Sequence, residues 1–245
     1  MTVLIGVLCS DGVVIGADSA VTAGFIERPF DQKIQIAAEG VIVATTGDIG
    51  LGQRFTAAVT SAWQKLSPSL PMPIDIAKAL SVEGLTDFLS TGLTIGNFES
   101  GALVAFPGRG TPCLCHFGYK NLQPTLMTPD FWYVAMGGGQ LIADPFLALM
   151  RRVFWRTGPP VYQDAVFTVT WALEYVIEVN TGGIGGMPRI AVLASQGGGQ
   201  LQARMLTSGE IAEHRQNVQN AEAYLREYEN ILRGRSGAPD IPPKP

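Results

Sequence analysis

Two largely apolar runs, TVLIGVLC (2–9) and VVIGADS (13–19), flank the turn SDG. A strand with one wet face alternates polar and apolar residues, so continuous runs joined by a turn predict a β-hairpin in a sheet covered on both faces. KIQIAA (33–38) and VIVATT (41–46), joined through Gly40, predict a second hairpin. LGQRFTAAVTSAWQKL (51–66) carries apolar groups at helical spacing, and the breakers SPSLPMP separate it from a second helix at Pro73–Leu89.

Four short strands are then expected, at GLTIGNF (92–98), GALVAFPG (101–108), TPCLCHFG (111–118) and WYVAMGG (132–138). ADPFLALMRRVFW (143–155) reads as a helix with Pro145 near its start and Thr157-Gly158-Pro159-Pro160 as its stop. The stretch from Tyr162 to Gly183 is rich in Val, Thr and Phe, which favour strand, but its length favours a helix closed by Gly182. RIAVLAS (189–195) and QLQARML (200–206) supply a last strand pair. Strands, two helices, strands, two helices, strands is the order of an α+β, four-layer αββα sandwich, two packed sheets with helices on each outer side.

Beyond this domain (1–206), Thr207-Ser208-Gly209-Glu210 has capping-box spacing and opens a helix to about 234. Ile211, Val218, Leu225 and Leu232, seven apart, with Ala221 and Tyr228 between them, form a narrow apolar seam, for which the chain's own surface and a neighbouring subunit are equal candidates. Residues 235–245 read as a flexible, Pro-rich tail.

Composition narrows the chemistry. The 245 residues, 47% hydrophobic and 16% charged, suit one sizeable core. With a net charge of −4 and no Lys/Arg run to track a phosphate backbone, nucleic acid is not an expected partner. No window approaches the roughly 18 apolar residues of a membrane helix, and the first residues lack the marks of a signal peptide, so a cytoplasmic protein without membrane contact is expected. Cys9, Cys113 and Cys115 form no metal-ligand spacing, and the last two share a face if their stretch is a strand. They read as buried, inert thiols. With only His116 and His214 in the chain, a His/Cys metal site or a Ser-His-Asp triad has almost no material, and no metal or cofactor is expected.

Hydrolytic chemistry would therefore need another base. If Met1 is removed, Thr2 carries a hydroxyl and a free α-amine on one residue. Such an amine, with a reference pKa of about 7.7–8.0, is a general base near neutral pH. A Thr hydroxyl also needs a nearby cation, held by an anion, to favour the neutral amine and the alkoxide. Asp18, returned toward Thr2 by the first hairpin, and Lys33, at the start of the third run, supply both.

Together, MTVLIGV, DGVVIGADSAVTAG, Lys33 and GVIVATTGDIG closely resemble the active β subunits of proteasomes and their bacterial relatives, the HslV-type peptidases. The resemblance runs to about residue 205 and implies an N-terminal-nucleophile hydrolase. It gives Thr2 the nucleophile's place, Asp18 and Lys33 the supporting places, and Gly47 the N–H that faces the oxyanion. Thr22 takes the place of the residue whose backbone pairs with an extended substrate. Glu178-Val-Asn-Thr181-Gly-Gly resembles the family's Asp-x-x-Ser-Gly-Gly, which supports the nucleophile's amine. Val21, Thr45 and Ile49 would wall the pocket for the side chain before the cut, with Asp31 near its rim, suiting a small or medium apolar side chain, or a basic one if Asp31 points inward. Two departures stand out: Gly138 replaces the family's serine in Gly-Ser-Gly, and Ala20 a common basic residue.

The expected function is thus a threonine endopeptidase acting on polypeptides inside a homo-oligomeric, stacked ring, with an ATP-dependent unfoldase as a candidate partner. The rival readings are a catalytically idle ring scaffold and a small-amide hydrolase of the same superfamily.

Overall fold

A computed structural model describes residues 1–23, 26–29, 31–66, 72–180, 182–195 and 199–233, with backbone alone between 22 and 31. Strands β1 (Leu4–Leu8) and β2 (Gly12–Ala17) form the first hairpin, and a smaller hairpin, β3 (Ala20–Ala23) and β4 (Ile26–Pro29), follows it. A 3₁₀ turn (Asp31–Lys33) leads into β5 (Ile34–Ala38) and β6 (Val41–Gly47), then helices α1 (Ile49–Lys65) and α2 (Pro73–Ser90). Next come β7 (Ser100–Gly108), β8 (Thr111–Phe117), β9 (Pro124–Leu126) and β10 (Tyr133–Met136), followed by α3 (Gln140–Val153) and α4 (Tyr162–Val179). Strands β11 (Arg189–Ser195) and β12 (Leu201–Met205) and helix α5 (Ser208–Leu232) close the chain.

The strands form two five-stranded antiparallel sheets, ordered β10-β1-β2-β11-β12 and β5-β6-β7-β8-β9. Alternation along each strand distributes its apolar residues to two cores. Leu4, Val13 and Ile15 meet Ile42, Leu103 and Leu114 between the sheets, whereas Val3, Ile5 and Val7 face Leu147, Val169 and Val176 of α3 and α4. On the other outer face, Val43, Val104 and Phe117 meet Phe55 and Val59 of α1 and Leu80 of α2. The result is the four-layer αββα sandwich expected from the element order. Gly16 sets one spacing in it, since a Cβ there would lie 2.5 Å from Val169 Cγ1 of α4.

The predicted strand at 92–98 is absent. Gly92 and Gly96 hold φ of +83° and +93°, Ile95 is exposed, and the stretch forms turns between α2 and β7. Phe98 is buried edge-on against Phe88, and half-buried Leu93 packs on the same core. The ambiguous stretch after Tyr162 is a helix, ended by Asn180 in extended conformation rather than by Gly182.

Helix α5 opens with the predicted capping box, Thr207 Oγ1 accepting from the Glu210 N–H and Glu210 accepting from the Thr207 N–H. Its first half lies on α4, with Val218 against Trp171 and Met150, and Trp171 Nε1 donating to Glu222 Oε1 at 3.1 Å. Its second half leaves Leu225, Tyr228 and Leu232 exposed. Among the described residues, no helix is long and apolar enough to cross a membrane.

Candidate functional site

Strands β1 and β2 pair with Leu4 opposite Ala17, which sets Asp18 beside the residues preceding β1. Asp18 is fully buried, and its carboxylate is filled with donors. Oδ1 accepts from the Val3 N–H at 3.0 Å and Lys33 Nζ at 2.8 Å, and Oδ2 accepts from the Gly185 N–H at 3.2 Å and the Ala20 N–H at 3.4 Å. Lys33, itself 4% exposed, thus enters the site as a paired, charge-assisted donor. A buried charge is tolerated only with such a partner.

Thr2 is buried beside this pair, and Met1 before it is exposed. The Thr2 carbonyl accepts from the Gly139 N–H at 3.2 Å, so the Gly137-Gly138-Gly139 turn clasps the first residues of β1. Gly137 has φ +84°, and a Cβ there would stand 2.4 Å from the Thr2 oxygen. Gly138 packs on Met1, whose Sδ would lie 2.9 Å from an added Cβ.

Gly47 ends β6 with φ +97°, a conformation only glycine adopts without strain. A Cβ at that position would lie 2.0 Å from the Glu99 carbonyl oxygen. Asp48 follows as the N-cap of α1, accepting from the Leu51 N–H at 2.9 Å, so Gly47 stands at the positive end of a 17-residue helix.

Two cavities meet at Thr2. A narrow pocket of about 20 Å³, room for roughly one water, has Val21, Lys33, Thr45, Gly47 and Ile49 in its lining. A wide cleft of about 800 Å³ adjoins it and runs past Gly138 to His116, Tyr119 and Phe131. Both include Thr2, Val21, Thr46, Gly47 and Ile49. The expected walls Val21, Thr45 and Ile49 therefore gather with Thr2, Lys33 and Gly47, but Gln32, Gln35 and Gln53 make the pocket more polar than the sequence reading supposed. Thr22 pairs with Glu27 in the β3–β4 hairpin, while its side chain and that of Asp31 lie outside the described residues.

Glu178 is exposed in the last turn of α4, and Thr181 lies outside the described residues. The groups that close over Asp18 come from just beyond that motif. Gly185 donates to Asp18 and accepts from the Ser19 N–H at 3.1 Å, while Ser19 Oγ accepts from the Met187 N–H at 2.8 Å. Gly186, φ +75°, lies so close to Ser19 that a Cβ would come within 2.5 Å of its Oγ. Sequence reasoning missed Ser19 and Gly185, whose contacts are long-range and run through backbone N–H groups. It also set aside His116, which lines the cleft and whose pKa burial pushes below the ordinary imidazole range. The cysteines are free, and burial pushes the Cys115 thiol up to about 12.

The sequence matches no protein-family model and no curated protein. Among solved structures, the chain is similar to the Anbu (Gly-1) mutant from Hyphomicrobium sp. strain MC1, with a TM-score of 0.71 over 98% of this chain and 100% of that one, at 13% identity. The two share the αββα sandwich architecture. At that identity the likeness carries the architecture alone, and the chemistry rests on this chain's own residues.

Proposed function

We propose that the chain is a threonine endopeptidase whose nucleophile is Thr2, exposed by removal of Met1. The observation that carries this reading is the buried Asp18–Lys33 pair, 2.8 Å apart, with Lys33 lining the same narrow pocket as Thr2. Thr2 Oγ attacks a peptide carbonyl carbon while the Thr2 amine takes the hydroxyl proton. The Lys33 charge favours the alkoxide and the neutral amine, and Asp18 holds Lys33 in place. The oxyanion faces the Gly47 N–H at the N-terminus of α1. The C–N bond breaks as the amine's proton passes to the leaving nitrogen, giving an ester on Thr2. Water, deprotonated by the same amine, then attacks the ester, releasing the acid and restoring Thr2.

By the same resemblance, the substrates are extended polypeptides added as a strand beside Thr22, and the subunits assemble into a stacked cytoplasmic ring fed by an ATP-dependent unfoldase. One observation favours a second reading, a catalytically idle scaffold: Glu178, in the place of a supporting carboxylate, is exposed. A small-amide hydrolase on the same fold is a third.

The test is hydrolysis of a mixed peptide library by the Met1-free protein, alongside Thr2→Ala of equal thermal stability. Cleavage lost in Thr2→Ala supports the peptidase. Cleavage that persists in Thr2→Ala, or cleavage of small amides only, removes it.

A further inference from the structure

Gly40, Gly110 and Gly199, which lie between β5 and β6, β7 and β8, and β11 and β12, meet at the end of the sandwich opposite Thr2. Strand β6 runs from Val41 at that end to Gly47 at the site, and Ala194 of β11 pairs with Gly12, at the far end of the first hairpin. Between the three glycines lies a cavity of about 590 Å³, also lined by Glu39, Trp63, Pro107 and Leu201. The glycines hold φ of +74°, +80° and +81°, so each presents bare backbone to the space. An added Cβ at Gly110 or Gly199 would meet no atom within 4 Å.

The walls offer two kinds of contact. Trp63 on α1 is half-buried, packs on Phe106 with 6.2 Å between ring centroids, and lines the cavity together with Pro107. Glu39, exposed at the β5–β6 turn, adds a carboxylate. An aromatic and proline wall with one acidic group suits an extended, proline-rich segment that carries a basic residue. Such a segment is stiff before it binds, so docking costs it little entropy.

This chain carries such a segment. Residues 239–245 read Pro-Asp-Ile-Pro-Pro-Lys-Pro and lie beyond the described residues. Helix α5 leads toward the cavity's end of the molecule. It runs antiparallel to α4, since Arg215 pairs with Glu174 while Glu222, later in α5, accepts from Trp171, earlier in α4. The start of α4 is tied to the β1–β2 turn, where the Tyr162 N–H donates to Asp11 Oδ1 at 2.7 Å. From Arg233, the eleven residues to Lys244 span about 34 Å at about 3.1 Å each in polyproline conformation. Layers about 10 Å apart put about 30 Å between α4 and α1, so the reach suffices.

We propose that this cavity docks the chain's own C-terminal tail, with Pro242 and Pro243 against Trp63 and Pro107 and with Lys244 facing Glu39. The contact would tether the exposed second half of α5 to the end of the sandwich farthest from Thr2. It stands apart from the chemistry assigned to Thr2.

The experiment is acrylamide quenching of tryptophan fluorescence in the full-length protein. Trp132, Trp155 and Trp171 are only 4%, 4% and 8% exposed, so the quencher reads chiefly Trp63. Pro242→Gly with Pro243→Gly should raise the quenching constant. Glu39→Lys should lower the ratio of docked to free tail by up to about fivefold, the reach of one exposed ion pair. Adding Lys244→Glu to Glu39→Lys should return the quenching toward that of the parent. Thermal melting reports that each variant folds. Quenching unchanged by the proline replacements, or a charge swap that restores nothing, overturns the proposal. Protection of Trp63 that grows with protein concentration also overturns it, because the tail then comes from a second copy.

Discussion

Asp18 Oδ1 accepts hydrogen bonds from Lys33 Nζ and from the backbone N–H of Val3, the residue that follows the proposed nucleophile. One carboxylate oxygen thus fixes both the cation and the start of β1. Lys33→Ala is expected to leave Asp18 buried and uncompensated, costing about 3–5 kcal/mol and abolishing turnover. Adding Asp18→Asn to Lys33→Met should recover about half of the stability and none of the activity. Urea unfolding with parallel kinetics checks this. Full activity in the double variant would show that the pair only holds the fold.

Gly47→Ala meets two obstacles, a φ of +97° and a Cβ only 2.0 Å from the Glu99 oxygen. Relief requires the β6–α1 junction to shift, so a loss of at least about 2 kcal/mol is expected. Because the displaced group is the N–H assigned to the oxyanion, kcat should fall by more than the lost folded fraction explains, about a hundredfold or more. A kcat unchanged per folded molecule would place the oxyanion elsewhere.

Gly138→Ser distinguishes the two forms of the N-terminus. With Met1 present, the new Cβ would stand 2.9–3.1 Å from the Met1 side chain, so the variant should melt at a lower temperature than the parent. With Met1 removed the space opens, and the serine is expected to be tolerated. Differential scanning calorimetry on both forms decides it. Equal destabilisation in both would mean that Met1 does not fill that seat.

Glu210 is held down to about 2, first by the Arg204 guanidinium and then by the Thr207 backbone N–H. Its folded value lies below the ordinary 4.5, so the stability it lends to α5 is fully present above pH 4.5 and is lost as pH falls through about 2. Glu210→Gln should therefore lower the melting temperature at pH 7, and the difference should shrink steadily from pH 4.5 downward. A constant difference would mean that the carboxylate's charge plays no part.

The layers were legible because residues 3–9, 13–17 and 41–44 are apolar runs, which a sheet covered on both sides accommodates. The β3–β4 hairpin was not, because Thr22-Ala23 and Glu27-Arg28 carry no apolar alternation that marks a strand. The loop at 92–98 was misread since Leu93 and Ile95 imitate alternation, while the two positive-φ glycines that break it leave no apolar signal. At the site, hairpin logic, which is short-range, could return Asp18 to Thr2, and a buried Lys33 called for an anionic partner. Gly185 could not, because it reaches Asp18 across 167 positions, and a backbone N–H has no signature in residue type.

The central claim is that Thr2 becomes an N-terminal nucleophile, and the intact mass of the purified protein tests it most directly, before and after incubation with a peptide epoxyketone, an electrophile that reacts with both the hydroxyl and the amine of an N-terminal threonine. The account predicts a mass lacking Met1, then a single stoichiometric adduct that is absent in Thr2→Ala. A retained Met1, or a free Thr2 that forms no adduct, would contradict it.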